Sequence, residues 1–430
     1  MIDTLLHGTV PIPVLLLAVL GLLLAALVVV IWSIKRHRDP KLKVNCELPL
    51  TKLVSSLAGL SQGALIEGNS VELFENGAFF DAMLGDIGKA QRSVHLETFL
   101  WKEGRLGERF IEALTERARA GVTVRVLVDA RGGAKIGKDT PKRLRDAGCE
   151  FHFHHPWHIY HVGVYNERTH RKLVVIDGRI ALVGGHCIVD EWLGDAQDKH
   201  HTRDLSVRVR GPAVHALQSV FAENWVEDTG ELFVGDDFYP PLERAGDTPL
   251  HVASVKCEGS APAVKVMHHA AVCLARQRLW IQNPYFLPDL EAIDAMGEAV
   301  KRGVDVRVMV PSVEASDMAI VQHAAHHNFR RLLDRGVRIF EYERTLLHQK
   351  VMTVDGCWCA IGSSNFDDRS FEVNDEITVG FHDAELARRL EEVFRYDMQH
   401  CVELNAQHWA KRPWLQRAHD ATLFAFNELL

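Results

Sequence analysis

Two copies of one octad constrain this chain more than any other feature. His170-Arg171-Lys172-Leu173-Val174-Val175-Ile176-Asp177 reads H-x-K-x4-D, and Gly184 follows after six residues. His348-Gln349-Lys350-Val351-Met352-Thr353-Val354-Asp355 repeats the pattern, with Gly362 after the same six. The apolar, β-branched run inside each octad predicts a short buried strand. Asp177-Gly178 and Asp355-Gly356 fall where a two-residue hairpin turn belongs, with return strands over Ile180 to Val183 and Cys357 to Ile361. Histidine and lysine two apart share one strand face. An imidazole beside an ammonium suits an anionic substrate. The aspartate, five beyond the lysine, is turned from that face by strand parity and reads as a turn or supporting residue.

The duplication extends beyond the octads. Val94 to Phe99 resembles Leu279 to Phe286, each a strand running into a loop. Gly121-Val122-Thr123-Val124-Arg125-Val126 is echoed by Gly303-Val304-Asp305-Val306-Arg307-Val308, and Leu144 to Gly148 by Leu332 to Gly336. Strands alternating with helices predict an α/β fold with a mixed or parallel sheet. Two pseudo-symmetric α/β/α halves would then place two His–Lys pairs across one cleft. The expected division is an anchor over 1–35, a linker over 36–67, a first repeat over 68–245, a second over 246–400 and a tail over 401–430.

The anchor rests on Val14 to Trp32, an uncharged apolar run followed by Lys35-Arg36-His37-Arg38. That length suits a helix crossing a bilayer core of about 30 Å. No Lys or Arg precedes the run and no small-x-small site follows it, which disfavours a cleaved signal peptide. The basic cluster predicts a single pass with the body on the cytoplasmic side. Leu50 to Leu65 is mildly amphipathic, fit either to lie on a membrane or to pack. A net charge of −8 argues against a protein that coats nucleic acid. Eight cysteines without a C-x-x-C pair give neither a disulfide framework nor a zinc motif.

The double H-x-K octad resembles the signature of the phospholipase D superfamily, over about residues 68 to 400. Asn365-Phe366-Asp367-Asp368-Arg369-Ser370-Phe371 with Asn374 and Glu376, Asn283-Pro284-Tyr285-Phe286-Leu287-Pro288, and Thr202-Arg203-Asp204 resemble segments of its bacterial cardiolipin synthase branch. The resemblance implies a phospholipase D-like catalytic body, with His170, Lys172, Asp177, His348, Lys350 and Asp355 as its catalytic set. By analogy His170 is the nucleophile that forms a phosphohistidine, and His348 the acid and base; near-symmetry leaves the reverse assignment open. The lysines, with Ser363 and Asn365, would hold the nonbridging phosphate oxygens. Asp204 and Glu376 begin corresponding strands and are candidates to orient the imidazoles. Two lysines supply the charge, so no metal and no cofactor is expected.

The implied activity joins two phosphatidylglycerols into cardiolipin and glycerol at a bacterial inner membrane, so the expected partners are phospholipid and membrane, not nucleic acid. Competing readings are a phospholipase D-type hydrolase, another transphosphatidylase, an anchored phosphodiester nuclease, and a non-catalytic lipid-binding scaffold. Oligomeric state stays open, because the repeat builds both halves of the site in one chain. The first motif departs from the family pattern, with Gly185 and Cys187 where serine and asparagine are usual. A thiol is a poor substitute for an amide donor, so phosphate binding should lean on the second half. His152, His154, His155, His158 and His161 suggest a metal but match no standard spacing, and read as a loop at the cleft mouth. His323, His326 and His327 read as surface or cleft-wall residues. The apolar tail, Trp409, Trp414 and Leu423 to Leu430, would contact a membrane surface or pack on the body.

Overall fold

The computed structural model describes residues 12–34, 42, 44, 46, 48–156, 167–256 and 262–425. His158, His161, Lys35 to Arg38 and 426–430 lie outside them. The chain divides into two compact units, Met1–Lys43 and Val44–Leu430. The first contains helix α1 (Ile12–Ile34), 23 residues long, with side chains described from 13 to 27. Among the described residues no helix is long and apolar enough to cross a membrane.

The second unit is built on one large mixed sheet made by the duplicated segments. Its strands in chain order are β1 (Ile66–Glu75), β2 (Ser93–Thr98), β3 (Thr123–Asp129), β4 (Glu150–His154), β5 (Arg168–Thr169), β6 (Leu173–Ile176), β7 (Ile180–Gly184) and β8 (Leu205–Arg210). The second copy supplies β9 (Thr248–Val255), β10 (Arg278–Gln282), β11 (Asp305–Pro311), β12 (Arg338–Tyr342), β13 (Val351–Val354), β14 (Trp358–Gly362), β15 (Asn374–Phe381) and a final strand, β16 (Cys401–Glu403). The first copy runs β1-β8-β7-β6-β2-β3-β4 and the second β9-β15-β14-β13-β10-β11-β12-β16. These are the same order, joined through the antiparallel pair β1–β9. Within each copy three strands are parallel (β2-β3-β4 and β10-β11-β12), as βαβ crossovers require. The other pairs along the sheet are antiparallel, and β5 pairs in parallel with β15 across the two copies.

Strand parity sorts the core into layers. In the first copy Val124, Val126, Val174 and Ile176 face helices α3 (Ala78–Ile87), α4 (Arg105–Arg119) and α5 (Thr140–Asp146). In the second, Val306, Val308, Met352 and Val354 face α7 (Ala263–Leu274), α8 (Leu290–Lys301) and α9 (Ala319–Leu333). The alternate residues, among them Leu173, Val175, Val351, Ile377 and Val379, share a layer with α6 (Val214–Thr229) and α11 (Ala384–Asp397). Leu50, Val54 and Leu57, on and before α2 (Val54–Leu60), are buried in the second copy's core. The structure therefore differs from a linker reaching residue 67: the amphipathic stretch packs, because its apolar face finds α7. The end of the chain also packs. β16 extends the sheet edge, and α12 (Ala406–Ala410) and α13 (Trp414–Phe424), which follow the short α10 (Asp368–Glu372), contribute Trp409, Leu423 and Phe424 to the second core.

Both octads form the hairpins expected of them. Asp177 and Gly178 have φ of 54° and 62°, and Asp355 and Gly356 of 52° and 64°. Two successive positive φ values define the turn that matches strand twist, and explain the Asp-Gly pairs.

Candidate active site

Each octad histidine stands one residue-pair ahead of its strand, and the opposite copy holds it there. β5 pairs in parallel with the start of β15, and His170 N donates to Asp375 O at 2.9 Å. In the other copy Leu347 bridges Arg203, and His348 N donates to Arg203 O at 2.8 Å. This exchange between copies brings the carboxylates to the rings crosswise. His170 Nδ1 is 2.9 Å from Glu376 Oε1, and His348 Nδ1 is 2.8 Å from Asp204 Oδ2. A carboxylate on Nδ1 fixes the tautomer and leaves Nε2 as the acceptor nitrogen.

The two lysines complete the centre. Lys172 Nζ donates to His170 O at 2.6 Å and Lys350 Nζ to His348 O at 2.8 Å. Lys350 Nζ also lies 2.9 Å from His348 Nε2. Phe99 packs edge-on to His170, centroids 5.0 Å apart, with the Lys172 ammonium 5.3 Å from its ring centre. All four side chains are buried. Burial lowers His170 to about 4, assisted by Lys172 and opposed by Glu376. Burial and both lysines push His348 well below the ordinary histidine range. Lys350 falls to about 7 through burial, and Lys172 is lowered for the same reason. Glu376 is lowered despite its burial, because His170, Lys172 and Ser363 hold the anion. The centre is thus two neutral imidazoles beside two strained cations, a site that gains from receiving an anion.

Several sequence expectations change. Asp177 and Asp355, grouped with the catalytic set, sit at the hairpin turns and cap the strands beside them. Asp177 accepts from the backbone N–H groups of Gln91, Arg92 and Ser93. Asp355 accepts from those of Arg276, Gln277 and Arg278. Both carboxylates thus bond the backbone of the neighbouring strand ends, away from the His–Lys face. Ser363, expected on the phosphate, is committed elsewhere: its hydroxyl donates to Glu376 and accepts from Ile377 N at 3.0 Å. Gly185 N–H donates to Leu205 O, so it is not held for substrate. Asn365 is buried, and its Oδ1 has no hydrogen-bond partner among the described groups. Cys187 is buried in the first core, its thiol raised by burial.

Gly185 has a different purpose. A Cβ there would stand 2.4 Å from Asp204 Oδ1. The first copy thus pairs a glycine with the shorter aspartate where the second pairs Ser363 with glutamate. The donor that serine gives Glu376 comes instead from Trp192, whose Nε1 donates to Asp204 Oδ2 at 2.9 Å. The same indole packs edge-on to His348, centroids 5.1 Å apart. Sequence reading missed Trp192 and Phe99, since neither belongs to the repeated pattern. The histidines ahead of the first octad also resolve. His154 is buried between Asp228 at 2.9 Å and Asp375 at 3.3 Å. Burial would lower it, but the two carboxylates raise it to about 10. It is a buried ion-pair partner rather than a cleft-mouth residue.

The family profile described as "Cardiolipin synthase, PLD-like domain" matches residues 83–225 and 270–398. The chain belongs to this family. Each matched segment of the cardiolipin synthase fold carries one octad and the carboxylate that serves the other octad's histidine. Cardiolipin synthase 2 of Bacillus cereus is 34% identical over 360 residues, 82% of this chain and 68% of that protein. Cardiolipin synthase of Geobacillus kaustophilus is 32% identical over 354 residues, 82% and 70% of the two chains. Among solved structures, phosphatidylserine synthase of Haemophilus influenzae superposes with a TM-score of 0.65. It shares 14% identity and covers 89% of this chain and all of that one, a likeness of fold.

Proposed function

We propose that the chain is a membrane-anchored cardiolipin synthase that transfers a phosphatidyl group between two phosphatidylglycerols through a phosphohistidine. The crosswise carboxylate–imidazole pairing carries this reading: with Nδ1 of both rings on carboxylates, the chemistry falls to Nε2, which at His348 has Lys350 Nζ beside it. The bound phosphodiester anion raises His348, which takes up a proton on Nε2; His170 Nε2 then attacks phosphorus, the bond to the headgroup glycerol breaks, and His348 gives that glycerol the proton. The headgroup hydroxyl of a second phosphatidylglycerol then loses its proton to His348 and attacks the same phosphorus. The phosphorus–nitrogen bond breaks, and cardiolipin leaves with His170 restored. Lys172, Lys350 and Asn365 hold the nonbridging oxygens while charge moves onto them.

The anchor is part of the proposal. Its support is the sequence: as a helix, the uncharged apolar run Val14 to Trp32 would cover about 28 Å at 1.5 Å per residue, close to the thickness of a bilayer core. Lys35 to Arg38 behind it orient the body to the cytoplasmic face of a bacterial inner membrane. Tethering raises the effective concentration of lipid at the cleft.

The test is product analysis by mass spectrometry on phosphatidylglycerol vesicles with purified full-length protein. Cardiolipin and free glycerol are expected, and both should fall at least about a thousandfold in His170→Ala and in His348→Ala. Phosphatidic acid without cardiolipin would instead make the chain a hydrolase.

A further inference from the structure

Away from the catalytic centre, α9 and α13 meet across a cluster of titratable groups. His323 and His326 stand one turn apart on α9, with ring centroids 5.8 Å apart. From α13, His419 packs edge-on to His323 at 5.0 Å. Beside it Asp420 is only 2% exposed. One oxygen of that carboxylate receives the Arg412 guanidinium. The other, Oδ1, is buried and makes no hydrogen bond, and His323 Nδ1 is buried and unpartnered in the same way. The two atoms are 3.4 Å apart, and His419 Nδ1 lies 3.7 Å from the same oxygen.

Two buried electron-pair donors that face each other without a hydrogen bond point to a shared third atom. A ring nitrogen of His323, a ring nitrogen of His326 and a carboxylate oxygen of Asp420 all lie within 4.8 Å of one another. Tetrahedral zinc with bonds of about 2.0–2.2 Å separates its ligands by roughly 3.3–3.5 Å, which the 3.4 Å spacing already meets. His326 Nε2 is hydrogen-bonded to Glu341 at 3.0 Å, the carboxylate support that metal-bound imidazoles commonly have. A cavity of about 430 Å³ bordered by these residues gives an ion its entry. The cluster sets two carboxylates, those of Asp420 and Glu341, against one guanidinium, that of Arg412. The other histidine cluster lacks this character, because Lys256 already stands 2.5 Å from Glu227 and His154 is taken by two aspartates.

We propose that His323, His326 and Asp420 bind one zinc ion, with His419 or water as fourth ligand, and that the ion staples α13 to α9. Asp420 lies beyond the residues matched by the family profile, so the site is a property of this chain's C-terminal helix. Imidazole and carboxylate donors favour zinc among the abundant divalent ions.

The test uses tag-free full-length protein in detergent micelles, stripped with chelator and titrated with Zn²⁺, then with Co²⁺ as a spectroscopic probe. One ion per chain is expected, with the intense visible bands of tetrahedral cobalt and slower tryptic cleavage after Lys411 and Arg417. His323→Gln and Asp420→Asn should each weaken binding at least about tenfold. His323 is partly exposed, so its variant keeps the question open to decision should Asp420→Asn fail to fold. Absence of stoichiometric zinc in the wild type, or unchanged affinity in His323→Gln, would overturn the proposal.

Discussion

Trp192 shows how much a single side chain outside a motif can carry. Its indole N–H holds the Asp204 oxygen that also holds His348, and its ring edge flanks that imidazole. It is a positioning residue. Trp192→Phe keeps the ring and deletes a hydrogen bond to a buried carboxylate, worth about 1.5–3 kcal/mol. The expected result is a kcat lower by about ten- to a hundredfold with KM nearly unchanged, and a Tm lower by only a few degrees, read from steady-state kinetics below the melt and a thermal melt. Lys350 makes a second prediction at this scale. Its pKa lies near 7, far below the ordinary lysine value, so in the free enzyme the ammonium is lost as pH rises through 7. An anion in the site restores the proton, so anion affinity is full below pH 7 and falls above it. Inhibition by glycerophosphoglycerol, a soluble phosphodiester monoanion, should weaken toward tenfold per pH unit between pH 7.5 and 9. A flat inhibition constant over that range would show that Lys350 stays charged.

The hairpins are where a repeated motif separates into chemistry and scaffold. In each octad the His–Lys end enters the centre, while the aspartate at the far end gathers three backbone N–H groups from the start of β2 or β10. An aspartate needed for catalysis would lower turnover; one needed for the strand ends lowers stability. Asp355→Ala should cost roughly 2–3 kcal/mol in a urea unfolding experiment, with activity per folded molecule within about twofold of wild type. The motif was legible as a unit, but its division of labour followed from strand parity, which turns residue five beyond the lysine to the other side.

Across the whole molecule the two copies are incomplete without each other, since each imidazole is oriented by the other copy's carboxylate. The proposed activity therefore belongs to the joined pair, and the proposed anchor would serve delivery. Removing residues 1–43, which form their own compact unit, should leave turnover of phosphatidylglycerol in detergent mixed micelles within about threefold. Turnover on vesicles should fall by at least about tenfold, as the local lipid concentration is lost. Equal activity of both forms on vesicles would remove the anchor's proposed role.

The sequence by itself determined the duplication, the mixed α/β architecture, the Asp-Gly hairpins and the four basic residues of the centre. All of these are local: periodicity, turn chemistry and a motif repeated at fixed spacing reveal them without knowledge of distant neighbours. Tertiary structure alone decided which carboxylate serves which histidine. Asp204 and Glu376 were visible as strand starts, but their crossing depends on β5 and Leu347 pairing with the opposite copy. It also decided that Ser363 hydrogen-bonds Glu376, that Trp192 hydrogen-bonds Asp204, and that Asp420 meets His323 and His326. Each is a contact between segments far apart in the chain, fixed by how the packed elements meet and by nothing in the spacing of the residues themselves.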